Sequence, residues 1–138
     1  MASRITLTRR HSFSGKNNLD WFFANRKWIR TSSLSVTECA WAIRPLPNAD
    51  AGIRFLLLAS KRSYKRAHDR NKIRRWIRAA IMQVEDFAEM EKMLEKESQQ
   101  LLVMLRISKP LADLKWNIVA QDVFKIEEHL KRRIEKLH

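Results

Sequence analysis

Nine of the eighteen residues from Lys61 to Arg78 (KRSYKRAHDRNKIRRWIR) are lysine or arginine, and Asp69 is the one acid among them. The segment carries +8 of the chain's formal +13. Clustered like this, with hardly a carboxylate beside them to act as a base, such side chains point to binding rather than bond-making. Their chemistry is the binding of phosphate, which a planar guanidinium fork meets with two parallel hydrogen bonds. Charge confined to one segment is an electrostatic footprint for a polyanion rather than a general aid to solubility.

Positioning such a cluster requires a rigid element beneath it, and the spacing supplies one. At about 100° per residue, a helix puts Ile73, Trp76, Ile77, Ala80, Ile81 and Val84 on one face. Asn71, Arg74, Arg75 and Arg78 fall on the opposite face, with Lys72 on its flank. The pattern predicts a helix from about Lys65 to Val84, docked by its isoleucines and showing cations outward. A solvated basic face is the ordinary alternative for a charge run. Here like charges stand four apart with hardly a carboxylate between them, an arrangement that costs stability unless a polyanion offsets it.

Bond-making chemistry is hard to find elsewhere. The four histidines, His11, His68, His129 and His138, are scattered and match no metal-ligand spacing. Carboxylates gather in residues 85–97, where solvation of a helix explains them more simply. Two glycines are too few for a phosphate-cradling loop. With Cys39 the only cysteine, an internal disulfide is excluded and a reducing compartment is expected. The apolar runs are too short to span a bilayer, and the N-terminus lacks the apolar core of a signal peptide. These features predict a cytoplasmic chain.

At 138 residues and 45% hydrophobic content, a single domain with a real core is expected over 1–138, with basic residues 1–15 as a flexible, extended extension. A short helix is predicted at Leu19–Asn25, capped by Asn17 or Asn18. A strand follows from Ser33 to Arg44 and a loop from Pro45 to Gly52. Ile53–Ser60 (IRFLLLAS) and Leu101–Ile107 (LLVMLRI) read as strands buried on both faces. Residues 85–100 are acidic and helix-prone. Val119, Val123, Ile126, Leu130, Ile134 and Leu137 mark a closing amphipathic helix. Strand, helix, strand, helix implies a β-α-β unit in an α/β (α+β) sandwich. Trp76 belongs to the apolar helix face. For Trp41 and Trp116 the spacing assigns no role beyond packing.

Ser60-Lys61-Arg62, then Lys65-Arg66, then Arg70-Asn71-Lys72-Ile73-Arg74-Arg75-Trp76-Ile77-Arg78, resembles the signature of the bacterial ribonuclease P protein subunit. Leu19-Asp20 with Phe22-Phe23 is similar to that family's N-terminal aromatic helix. Lys72 replaces the second arginine of the usual Arg-Asn-Arg. The stretch from Ser60 to Ala67 is one residue longer than the common form and lacks its glycine. The resemblance implies a two-layer sandwich with a sheet of about four strands and a left-handed β-α-β crossover through the arginine helix. It implies that the partners are a catalytic RNA and precursor tRNA, and that Mg²⁺ is bound mainly by RNA, with no catalytic group on this chain. The RNA-binding residues it implies are Lys61, Arg62, Lys65, Arg66, Arg70, Asn71, Lys72, Arg74, Arg75 and Arg78. The 5′ leader of precursor tRNA would meet Phe23, flanked by Lys61 and Arg62.

Two other classes fit part of the pattern. A basic leucine zipper would continue the arginines into heptads, but Glu91 and Ser98 interrupt the seam set by Phe87, Leu94 and Leu101. A ribosome-associated or other structured-RNA-binding module fits the composition equally well, and only the ordered arginine motif argues against it.

Overall fold

The apolar runs become the strands of one mixed sheet in the computed structural model, which describes residues 4–29, 34–46 and 50–137. In chain order the elements are α1 (Lys16–Asn25), β1 (Lys27–Trp28), β2 (Thr37–Pro45), β3 (Gly52–Ala59), α2 (Ala67–Gln83), α3 (Asp86–Lys96), β4 (Gln99–Ile107) and α4 (Trp116–Leu137). The strand order is β1-β2-β4-β3. β2 runs antiparallel to both β1 and β4, while β3 and β4 are parallel and joined through α2 and α3. Leu101 to Leu105 are each at most 1% exposed, as a continuous apolar run in a sheet covered on both faces requires.

Strand alternation divides the core in two. Cys39 and Trp41 of β2, Ile53 and Phe55 of β3, and Leu101, Val103 and Leu105 of β4 face α2, α3 and α4. Ile73, Ile77 and Ile81 dock α2 there, as their spacing predicts. Trp76 is only half-buried and meets Trp116 edge to face at 6.5 Å. The acidic stretch after α2 folds as an amphipathic helix that buries Phe87, Met90 and Leu94 and turns most of its carboxylates outward. On the opposite face, Ala40, Ala42, Leu102 and Met104 meet Phe13 and Phe22 of the α1 layer.

The buried carboxylate of Asp122 ties α4 to β2. It accepts backbone N–H bonds from Ser35, Val36 and Thr37 at 2.8, 2.8 and 2.9 Å. Charge-assisted bonds of this kind offset the cost of burying a carboxylate. The closing helix is therefore fixed in register as well as packed.

Residues 4–15 correct the expectation of a flexible extension. They are largely extended but docked, with Ile5, His11 and Phe13 at 5%, 6% and 6% exposure. The Phe13 N–H donates to the Phe55 carbonyl at 3.4 Å. His11 Nδ1 accepts the Thr8 N–H, which leaves Nε2 to donate to Glu91 Oε1 at 3.1 Å. Three anchors spread over nine residues make no period, so only their partners reveal them. α1 also starts earlier than predicted, after Gly15, and Asn18 donates back to the Ser14 carbonyl instead of capping. Residues 1–3, Ser33, residues 47–49 of the predicted loop and His138 lie outside the described residues.

Candidate nucleic-acid interface

α2 presents its cations as the helical spacing predicts. Asn71, Lys72, Arg75 and Arg78 are exposed, and Arg74 is half-buried. Arg74 Nη1 donates to Asn71 Oδ1 at 3.1 Å, which makes the two a single polar unit on the helix surface. Lys72 lies over the Trp76 ring, its Nζ 5.1 Å from the centroid. Arg74 and Arg78 also line a cleft of about 190 Å³ against Leu7, Thr8 and His11 of the docked N-terminal segment.

The turn between β3 and α2 carries four further cations, Lys61, Arg62, Lys65 and Arg66, all exposed. An aromatic anchor holds it. Tyr64 is 2% exposed, its N–H donates to the Ser60 carbonyl, and its hydroxyl donates to the Lys109 carbonyl. Burial raises the Tyr64 phenol above its ordinary value, so it stays a donor. Arg70 Nη1 bonds the carbonyls of Tyr64 and Lys65 at 2.8 and 3.0 Å. Arg70 therefore shapes the turn in addition to adding charge.

A second surface lies across the sheet, where α1 covers the face incompletely. Phe22 is fully buried, whereas Phe23 is 44% exposed. The Arg26 guanidinium lies 4.9 Å from the Phe23 centroid and 4.8 Å from that of Trp28. Arg106, at the end of β4, lies 5.8 Å from Trp28 and pairs with Glu38 at 3.0 Å. Aromatic faces interleaved with guanidinium planes make a platform of the kind on which unpaired bases can stack. The register pairs Leu58 with Arg106, so Lys61 and Arg62, just beyond β3, belong to the same end of the sheet as this platform.

The structure thus places Lys61, Arg62, Lys65 and Arg66 in an exposed turn at the β3 edge of the sheet, while Trp28 of the platform lies at the β1 edge. The arginines of α2 and the Phe23 platform do not form one site. Arg26, Trp28 and Arg106 are missing from the sequence-derived set. Alternation along β4 would have put Arg106 on the face of Leu102 and Met104. β1, with two residues, has no period to read.

Other chemistry is not assembled. Cys39 is fully buried and its thiol is pushed far up by that burial, which removes it as a nucleophile. Among the described residues, no three or more His, Cys, Asp or Glu side chains form a group that could hold a metal ion. No helix among them is long and apolar enough to cross a membrane.

Residues 7–132 match the family model described as Ribonuclease P. No curated protein gives a significant match. The matched span takes in both surfaces, from the docked N-terminal segment to the last turns of α4.

Proposed function

The chain belongs to the ribonuclease P family, and from that premise we propose that it is the RNA-binding protein subunit of the holoenzyme. Family membership carries a role in tRNA processing, within a holoenzyme that is an endoribonuclease. The finer reading assigns the exposed face of α2 and the turn before it to the catalytic RNA. It assigns Phe23, Arg26 and Trp28, flanked by Lys61 and Arg62, to the single-stranded 5′ leader of precursor tRNA. In this reading the catalytic RNA and the substrate hold Mg²⁺. The work of this chain is to bind, orient and neutralise, in the cytoplasm where tRNA precursors are trimmed.

One observation carries the reading. The cations of α2 and the half-exposed aromatic platform lie on opposite faces of one sheet, and Tyr64 and Arg70 hold the basic turn before α2 in shape. Two separate RNA segments can then be held at once. Duplex and phosphate-rich surfaces suit fixed positive charge, and an unpaired strand suits stacking.

The deciding experiment adds the purified protein to a bacterial ribonuclease P RNA at low Mg²⁺ and measures cleavage of precursor tRNA. Restored cleavage at the mature 5′ end is expected. Tight RNA binding without restored cleavage would favour the reading as a structured-RNA-binding module instead.

A further inference from the structure

α3 and α4 meet along a groove that belongs to neither basic surface: no arginine of α2 and no residue of the Phe23 platform lines it. It holds two cavities, of about 320 Å³ and about 260 Å³. Val84 at the end of α2 and Phe124 of α4 wall the first, and Met90, Met93 and Ile134 wall the second. Asp86 lines both, so the two adjoin at its side chain. We propose that this groove docks a basic amphipathic helix of a partner protein. Two apolar side chains of that helix fill the cavities, and an arginine or lysine between them meets Asp86.

The apolar part of the groove sets the shape of the partner. Phe124 is 52% exposed, while its neighbours Val123 and Ile126 are fully buried. A single exposed ring is ordinary on a protein surface. Phe124 differs in walling a concavity, with the half-buried Val84 beside it. At the other end Met93 is half-buried, and an unbranched thioether adapts readily to an incoming side chain. Phe124 and Ile134 stand about 15 Å apart along α4, about three turns of helix. A helix lying along the groove therefore reaches both cavities from one face.

Charge selects its chemistry. Glu85, Asp86, Glu89 and Glu135 line the two cavities, against one cation, Lys131. On a chain with a net charge of +13, this reversal is local. A rim of carboxylates repels RNA and favours a basic segment. The ion pairs already present are Lys131 with Asp86 at 3.3 Å and Arg4 with Glu85 at 3.8 Å. All four side chains are about half exposed, and pairs of that kind contribute little in water. A partner cation can replace Lys131 at small cost.

Glu127 is the second observation. It stands on α4 about one turn from both Phe124 and Lys131, and it is 1% exposed with no partner for either carboxylate oxygen. Asp86 and Lys131 are among the charged groups around it. A cation brought to Asp86 therefore also enters the field of a carboxylate that the chain leaves without a donor. Beneath the surface that field is screened less than in water. The buried acid explains why the contact at the centre of the groove should be a cation rather than a third apolar group.

The test uses the full chain and a synthetic alanine-based helix of about four turns, with leucines at i and i+11 and arginines at i+4 and i+7 on one face. A control peptide carries glutamates in place of the arginines. Methyl signals of Met90 and Met93 and ring signals of Phe124 are followed by NMR. The arginine peptide is expected to move all three saturably and the glutamate peptide to move none. Phe124→Ser should weaken the arginine peptide by about tenfold or more, as loss of an anchor does. Should that variant disturb α4, Glu89→Lys combined with Glu135→Lys, both at exposed positions, gives the same comparison. Equal binding of the two peptides, binding of neither, or unchanged affinity in both variants would overturn the proposal. So would movement of the Phe124 signals with protein concentration alone, which would make a second copy the occupant, or with added ribonuclease P RNA. The variants leave α2 and Phe23 intact, so restored cleavage of precursor tRNA should be the same with and without them. Docking can thus fail while the RNA-binding reading stands, and the reverse.

Discussion

Arg70 Nη1 donates to the carbonyl of Tyr64 at 2.8 Å, so one cation of the arginine helix is committed to the backbone of the turn before it. Tyr64 is itself buried and bonded to Lys109. Together they fix where Lys61, Arg62, Lys65 and Arg66 leave the surface.

Arg70 and Arg75 should therefore behave differently. Arg70→Ala leaves two carbonyls without this donor and should cost about 1–3 kcal/mol of stability. Arg75→Ala, at an exposed position, should stay within about 0.5 kcal/mol while still weakening RNA binding. Denaturant midpoints of the two variants, measured side by side, make the comparison; equal midpoints would remove the positioning role of Arg70.

The exposed guanidinium groups of α2 should report themselves through salt. Each phosphate contact contributes about 0.7–0.9 to the slope of log affinity against log salt. Arg75→Ala combined with Arg78→Ala should flatten that slope by about 1.4–1.8 for the catalytic RNA. An unchanged slope would take both residues out of the interface.

Phe22 and Phe23 are adjacent and should separate cleanly. Phe22→Ala empties a fully buried site and should cost about 3–5 kcal/mol. Phe23→Ala should leave the melting temperature nearly unchanged because the ring is 44% exposed. Its effect should be on precursor tRNA, with binding weakened about ten- to a hundredfold and mature tRNA nearly unaffected. Equal losses for the two RNAs would point away from the leader.

Glu127 makes stability depend on pH. It is 1% exposed, and neither carboxylate oxygen has a hydrogen-bond partner. Lys131, one turn on, is paired with Asp86 at 3.3 Å. Burial, then Asp86, raise the Glu127 carboxyl from 4.5 to about 7. The folded chain thus holds this proton more tightly than the unfolded chain does. Below pH 4.5 both states are protonated and the group costs nothing. As pH rises towards 7 the folded state loses stability, by on the order of 2–3 kcal/mol, and the loss is complete above that. Glu127→Met should remove the slope, gaining most at pH 8 and little at pH 4.5. Parallel unfolding profiles for the two proteins would contradict this account.

Much of this was legible in the residues, and the exceptions have physical causes. Ile73, Ile77 and Ile81 declared the buried side of α2 because a helix sorts side chains at a fixed angle. The run from Leu101 to Leu105 declared a central strand because only a doubly covered strand is apolar throughout. Arg26 and Trp28 could not be found this way, since their stacking depends on a two-residue strand paired to Ala40 and Trp41. The difference between Phe22 and Phe23 was equally hidden. Both fit the helical spacing, and only the position of the sheet beneath α1 decides which ring is covered. Docking of Ile5 and Phe13 rests on contacts with residues far along the chain, which no local pattern carries.

The outward-facing carboxylates of α3 give the molecule a sense of direction before it touches anything. One flank, along α2 and the basic turn, is strongly positive; the flank bearing Asp86, Glu89 and Glu95 is not. In the field of an RNA such a body feels a torque as well as an attraction. That torque acts within about a Debye length, roughly 8–10 Å at physiological salt. Encounters led by α2 are favoured over those that begin with α3 towards the RNA. Raising the salt should then lower the fraction of encounters that arrive correctly oriented, a loss in association rate beyond the loss in affinity.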